Sequence, residues 1–218
     1  MFENLTQLQL AVAIGGGYLL GSIPFGVIAT RLGGAGDVRK IGSGNIGATN
    51  VLRTGRKDLA LITLIGDGGK GALAVFLAWW FTRTGPEAAQ AVLTSLAGGA
   101  AFLGHVFPVW LGFKGGRGVA TFFGTLLAAA WPVGMLAGLA WLAFAVIFRI
   151  SSLAALAAAA LAPLFVFMTD RPHPIAVLAM FMAVLIYIRH IDNIRRLLKG
   201  EEPRIGEKKK DAAPDPAA

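Results

Sequence analysis

The chain has 218 residues, 56% of them apolar and only 15% charged, with a mean hydropathy of +0.66. A soluble domain has roughly 45–50% apolar and about 25% charged residues, so too little polar residue is left here to cover a water-soluble fold. The lack of cysteine excludes disulfides, thiolate catalysis and cysteine metal sites, and a net charge of +8 reads better as basic loops at a membrane face than as a nucleic-acid surface.

The expected fold is therefore all-α and polytopic in the membrane. Residues 1–10 carry Glu3 and no Lys or Arg, unlike the positive start of a secretory signal. Seven apolar segments follow, at 7–30, 58–82, 88–112, 118–131, 133–148, 151–169 and 174–190. Most approach the ~20 residues that cross a ~30 Å hydrocarbon core. The fourth is short and ends at Trp131-Pro132, so it is expected to tilt or to form a bent hairpin with the fifth. With the N-terminus outside and seven crossings, seventeen of the twenty Lys and Arg residues fall inside. Arg83 and Arg171 fall outside, and Lys70 lies within the second segment. A five-crossing version, with the fourth and fifth segments not spanning, leaves the termini on the same sides. Residues 1–200 form the expected membrane domain. Residues 201–218, charged and then Ala/Pro-rich, are expected to be a disordered cytoplasmic tail.

Four polar clusters interrupt this pattern, all on the expected inner side. The first spans 42–53. Its glycines let successive N–H groups line a concavity, Ser43, Asn45, Thr49 and Asn50 add neutral donors, and Arg53 adds a guanidinium fork. A plain glycine-rich connector with Asn turns is the competing interpretation. The second cluster, Asp67 to Lys70 within the second segment, places opposite charges three residues apart on one helical face. Its Gly-Gly-Lys-Gly string lacks the spacing and the following Ser/Thr of a nucleotide-binding P-loop.

The third cluster runs from His105 to Lys114, Gly115, Gly116, Arg117 and Thr121, where a loop opens a helix. A helix N-terminus offers free N–H groups to an anion, and the glycines permit close approach. The fourth holds His190 and Asn193 on one helical face, followed by Arg195, Arg196 and Glu202. A histidine titrates near neutral pH and suits acid–base work, although one at a helix end is more often structural. The arginines read as a solvated or headgroup-facing surface. Ser151 and Ser152, at a helix start, read as caps that also border the site.

A pocket rich in anion donors and poor in carboxylates implies no metal. Two facing anion loops suit substrates bearing phosphate, held for reaction largely by proximity. An organic-phosphate transporter needs similar groups, but also repeat symmetry or paired broken helices, and no internal repeat is found. A purely structural membrane subunit has no need of four polar clusters on one face.

At these residues the chain resembles the bacterial acyl-phosphate:glycerol-3-phosphate acyltransferase family. The resemblance covers about 17–205 and is carried by Gly21-Ser22-Ile23-Pro24, Ser43 to Arg53, Lys70-Gly71, His105, Lys114 to Thr121 and the His190/Asn193/Glu202 run. It implies seven helices with the N-terminus outside, in the bacterial cytoplasmic membrane, and an active site on the cytoplasmic side. It implies acyl transfer from acyl-phosphate to the 1-hydroxyl of glycerol 3-phosphate, giving lysophosphatidic acid and phosphate, with no cofactor and with membrane lipids as surroundings. By position, Ser43, His190 and Asn193 match functional residues. Arg53, the Lys114 loop and their polar neighbours match substrate-binding positions, and Glu202 matches a structural acid. Lys70 and Asp67 stand as a binding cation and its structural partner. Arg117 is the one departure, since lysine is commoner there; both bind phosphate. The His-to-Asp pattern of soluble-headed glycerolipid acyltransferases is missing, because the fifth residue after each histidine is Trp110, Leu178 or Arg195.

Overall fold

In lipid, an apolar run must satisfy its own backbone hydrogen bonds, and helices do so. In the computed structural model, which describes residues 5–206, the described residues form ten α-helices and no strand. These are α1 (Gln7–Gly21), α2 (Phe25–Leu32), α3 (Ala48–Val51), α4 (Lys57–Thr82), α5 (Glu87–Val106), α6 (Val119–Ala129), α7 (Trp131–Phe148), α8 (Ser151–Met168), α9 (His173–Arg189) and α10 (Ile191–Leu198).

Five stretches are long and apolar enough to cross a membrane: α1 with α2, α4, α5, α7 and α8. A sixth is counted only if α9 and α10, bent by 63° to each other, are taken as one. The segment expected at 118–131 is α6, whose 11 residues reach about 16 Å, well short of the hydrocarbon thickness. Only Ala130 separates α6 from α7, so the two form a tight hairpin.

The segment expected as one helix at 7–30 is instead broken at 22–24. Pro24 has no N–H to donate and disfavours helical geometry at Ile23. The Ile23 carbonyl released there accepts a hydrogen bond from Lys70 Nζ at 2.9 Å.

α5 lies at the centre, with fifteen of its twenty residues buried. Small residues set its contacts. A Cβ on Gly17 or Gly21 of α1 would strike the Ala97 or Ala101 carbonyl, and one on Gly104 would strike the Tyr18 carbonyl. α4 meets α6 equally closely, since a Cβ on Gly124 would fall on the Gly68 carbonyl. Without a hydrophobic drive between helices in lipid, such close approach supplies the dispersion that holds the bundle. Phe102, Phe122, Leu126, Met182 and Ile186 fill the interior between α5, α6 and α9. Large apolar side chains such as Ile65, Phe81, Ile147 and Val177 point outward, as a lipid-facing surface requires.

Residues 201–206 lie against the bundle: Ile205 N–H donates to the Arg149 carbonyl at 2.6 Å, and Glu202 is bonded to three side chains. The remainder of the expected tail, 207–218, lies outside the described residues.

Candidate active site

The loop between α2 and α4 is organised by one side chain. Asn50 is 2% exposed, and its Nδ2 donates to the carbonyls of Val38, Ile41 and Asn45 at 3.0, 2.9 and 2.7 Å. Its Oδ1 accepts from Ser43 N and Arg53 Nη1 at 3.1 and 3.2 Å. Asn50, expected to donate to substrate, is thus fully committed to shaping the loop. Its bonds leave the Ser43 hydroxyl exposed and draw Arg53 over the loop. Asn45 turns inward, its Oδ1 accepting from Gly47 N at 3.1 Å, while Thr49 remains exposed on α3. Asp37 anchors the loop entrance to Arg39 at 2.6 Å and to Arg31 at 3.2 Å. The Arg39 hydrogen bonds hold its carboxyl well below the usual carboxylate range.

The glycine loop before α6 departs from expectation in a specific way. Gly115 N–H donates to the Val106 carbonyl at 3.2 Å, and Gly116 N–H to the His105 carbonyl at 3.1 Å. Their amides are therefore used in closing the loop onto the end of α5, not left free for an anion. The glycines are required for another reason: a Cβ on Gly115 would strike the His105 carbonyl, and one on Gly116 the His105 ring. Gly118 adopts φ +88° and admits no Cβ beside the Phe102 ring. This tight path presents Lys114 to solvent, Arg117 to the interior of the site, and the N-terminus of α6, which no side chain caps, beside it.

His105, Asp67 and Lys70 join α4 to α5. Asp67 Oδ1 lies 3.0 Å from Lys70 Nζ and 3.4 Å from His105 Nδ1, and all three side chains are buried. Lys70, expected to bind substrate, is consumed by Asp67 and by the Ile23 carbonyl. Thr121 adds a bond from Oγ1 to the Asp67 carbonyl at 2.8 Å.

The end of the chain closes the site. Glu202 accepts from Ser152 Oγ at 2.7 Å, Asn193 Nδ2 at 2.6 Å and Arg196 Nε at 2.7 Å. Burial acts to raise its carboxyl pKa, but the bonds from Ser152, Asn193 and Arg196 outweigh this and hold it below the ordinary value. Ser152 therefore orients Glu202 and caps nothing; the cap position of α8 is Ile150, and Ser151 stands half-buried beside it. Asn193 has its Nδ2 fixed, while its buried Oδ1 has no hydrogen-bond partner among the described residues. The His190 Nδ1 lies 2.8 Å from the Ile186 carbonyl, which can only accept. The ring proton therefore sits on Nδ1, and Nε2 carries the lone pair.

Charge identifies what the site lacks. Burial lowers the Arg117 pKa most; among the charges, Arg196 lowers it further, Glu202 raises it, and Arg189 and Arg53 lower it. Several guanidinium groups thus lie near enough to Arg117 to act on it, an excess of positive charge that attracts phosphate. Of these, Arg189 and Arg196 do not stand out in the sequence from the solvated basic residues around them. A neutral imidazole with a free lone pair and an amide oxygen seeking a donor stand in the same region, suited to receiving a hydroxyl group.

A family model described as glycerol-3-phosphate acyltransferase matches residues 11–200. A glycerol-3-phosphate acyltransferase of Caulobacter vibrioides (strain NA1000 / CB15N) is 66% identical over 216 residues, covering 98% of this chain and 97% of that protein. One from Paramagnetospirillum magneticum is 61% identical over 204 residues, covering 94% of this chain and 98% of the relative. Among solved structures, the chain is similar to PlsY (YgiH), an integral membrane glycerol 3-phosphate acyltransferase, in its glycerol 3-phosphate form. The TM-score is 0.83 at 37% identity, over 90% of this chain and 96% of that one. The lysophosphatidic acid form of the same enzyme gives a TM-score of 0.81 at 36% identity, over 90% and 95%.

Proposed function

This chain belongs to the glycerol-3-phosphate acyltransferase family and is an integral membrane acyltransferase, and on that premise we propose its donor, its product and the roles of its residues. The donor is an acyl-phosphate, and the product is lysophosphatidic acid. The 1-hydroxyl of glycerol 3-phosphate attacks the acyl carbonyl carbon, a new ester C–O bond forms, and the carbonyl-to-phosphate C–O bond breaks to release inorganic phosphate. The observation that carries this reading is the excess of guanidinium charge around Arg117, from Arg53, held over its loop by Asn50, and from Arg189 and Arg196, with Glu202 bonded to Arg196 as the facing carboxylate. Both substrates bring phosphate, and the leaving group is itself a phosphate.

Arg53, Arg117 and Lys114 clamp phosphate, with the uncapped start of α6 adding backbone donors. Ser43, Asn45, Thr49 and Ser151 border that clamp. His190 Nε2 accepts the proton of the attacking hydroxyl, and Asn193 Oδ1 orients that hydroxyl. Asn50, Gly115, Gly116, Ser152, Glu202 and the Asp67–Lys70 pair hold these groups in place. Confining both substrates replaces a bimolecular encounter by one within the site, which is worth several kcal/mol of the barrier, roughly 7–11 in the best-oriented cases.

The chain crosses the bacterial cytoplasmic membrane seven times with the N-terminus outside, the short α6 counted as one crossing. In that topology seventeen of the twenty basic residues fall on one side, the asymmetry expected of a cytoplasmic face, and this supports a cytoplasmic site. The test is purified protein in lipid with labelled glycerol 3-phosphate and either palmitoyl-phosphate or palmitoyl-CoA. Lysophosphatidic acid formed from the acyl-phosphate alone is expected. Product from palmitoyl-CoA alone overturns the donor assignment, and no product from either in folded protein overturns the reaction. In the same assay, His190→Ala is expected to lower turnover severely. Unchanged turnover with weaker glycerol 3-phosphate binding assigns the proton to a substrate phosphate oxygen instead.

A further inference from the structure

The Gly115–Gly116 peptide unit is held from both ends. The N–H groups of Gly115 and Gly116 donate to the end of α5. Their carbonyls accept from a single side chain: Arg189 Nη2 donates to the Gly115 carbonyl at 3.0 Å, and Arg189 Nε to the Gly116 carbonyl at 3.3 Å. The same guanidinium lies over the Phe107 ring, 5.7 Å from its centroid. No other side chain hydrogen-bonds to these two residues among the described ones. The next residue along the loop is Arg117, and the residue after Arg189 is His190.

We infer that Arg189 is a positioning residue of the acyl transfer, fixing the Lys114–Arg117 loop relative to His190 rather than binding substrate phosphate itself. The inference rests on the reading of that loop as the phosphate clamp. Its physical basis is the fork. A planar guanidinium donates two divergent N–H bonds to two successive carbonyls, which a lysine ammonium on a flexible stem does not reproduce. The Gly115–Gly116 peptide unit is held at both its carbonyl and its N–H, and the Gly116–Arg117 unit at its carbonyl, so the direction in which Arg117 leaves the loop is set. Because the anchor lies one residue before His190, the same bonds set the separation between the cation that holds phosphate and the imidazole that meets the hydroxyl. Phosphate-binding arginines usually keep their fork open to the ligand. Here the Nε–H and one Nη–H of the fork are turned into the protein.

Four variants test this: Arg189→Lys, Arg189→Ala, Arg117→Ala and the double Arg117→Ala/Arg189→Ala, each in lipid and checked for a single elution peak. Arg189→Ala is expected to lower kcat/KM for glycerol 3-phosphate roughly tenfold to a hundredfold, the scale of losing hydrogen bonds to a charged group. Arg189→Lys is expected to recover little of this. The double variant is expected to fall short of the product of the single losses by about tenfold, because Arg189 acts through the loop that carries Arg117. Hydrogen exchange gives a readout independent of activity: the Gly115 and Gly116 amides are expected to exchange faster in Arg189→Ala and at the wild-type rate in Arg117→Ala. Losses that simply multiply, rescue by lysine, or unchanged exchange at Gly115 and Gly116 overturn the inference. A wild-type protein that forms no product at all overturns the proposed reaction instead, and the exchange result still decides whether Arg189 holds the loop.

Discussion

Removing the Glu202 carboxylate tests how the end of the chain builds the site. Glu202→Ala takes away the acceptor of Ser152 Oγ at 2.7 Å, Asn193 Nδ2 at 2.6 Å and Arg196 Nε at 2.7 Å. Hydrogen bonds to a charged group contribute about 1.5–3 kcal/mol each. The Arg196 side chain is 39% exposed, so its contact is screened and counts for less than about 1 kcal/mol. The two remaining bonds then contribute at least about 3 kcal/mol, roughly a hundredfold in the fraction of molecules with the tail docked. Two assays follow. Trypsin cleavage after Arg204 should accelerate by about that factor, and kcat/KM should fall tenfold or more as Asn193 loses its orientation. Glu202→Gln should fall between wild type and Glu202→Ala, since the amide oxygen can keep the place of Oε1 and accept from Ser152 and Asn193, while the amide NH2 faces the Arg196 donor and that bond is lost. Wild-type cleavage and wild-type kcat/KM in Glu202→Ala would mean that Glu202 neither docks residues 201–206 nor orients Asn193.

Three other outcomes follow from the same geometry. Gly124→Ala should lower the thermal midpoint in detergent by several degrees, because the added Cβ falls on the Gly68 carbonyl and separates α4 from α6; Gly138→Ala, where a Cβ meets nothing within 4 Å, should leave it unchanged. Asp67→Leu leaves Lys70 without its carboxylate and should cost about 3–5 kcal/mol, whereas Asp67→Leu with Lys70→Met should recover most of this in the same melt. The Glu202 contribution is pH-dependent with a definite sign. Its folded pKa lies below the ordinary value of 4.5, so the contribution is complete above that value and is lost as pH falls through the folded pKa. The thermal midpoint of wild type should therefore drop at acid pH more than that of Glu202→Gln.

The sequence discloses the helical membrane class because composition and run length are properties of whole segments. The shortness of α6 is also legible, since Trp131-Pro132 marks where the run must stop. The break at 22–24 is less so: the apolar run continues on both sides of Pro24, and only the buried cation of Lys70 needs the carbonyl that the break releases. Within the clusters, residue type locates chemistry and not direction. Asn50 and Thr49 are adjacent polar residues, yet one is buried among five hydrogen bonds and the other faces solvent. Arg189 and Arg195 lie six residues apart, and the 63° bend between α9 and α10 sends one onto the glycine loop and the other into solvent. Glu202 follows a Lys-Gly-Glu stretch typical of a solvated tail, and its docking depends on Ser152, fifty positions away. The glycines at 115 and 116 are readable as a demand for close approach, but the approaching atoms are those of His105, Val106 and Pro108.

The most direct test of the central claim is a structure of the protein in lipid with glycerol 3-phosphate bound. Phosphate density is expected between Arg53 and Arg117, with the glycerol hydroxyls toward His190 Nε2 and Asn193 Oδ1. Phosphate seated away from Arg117, or a glycerol chain pointing away from His190, would contradict it.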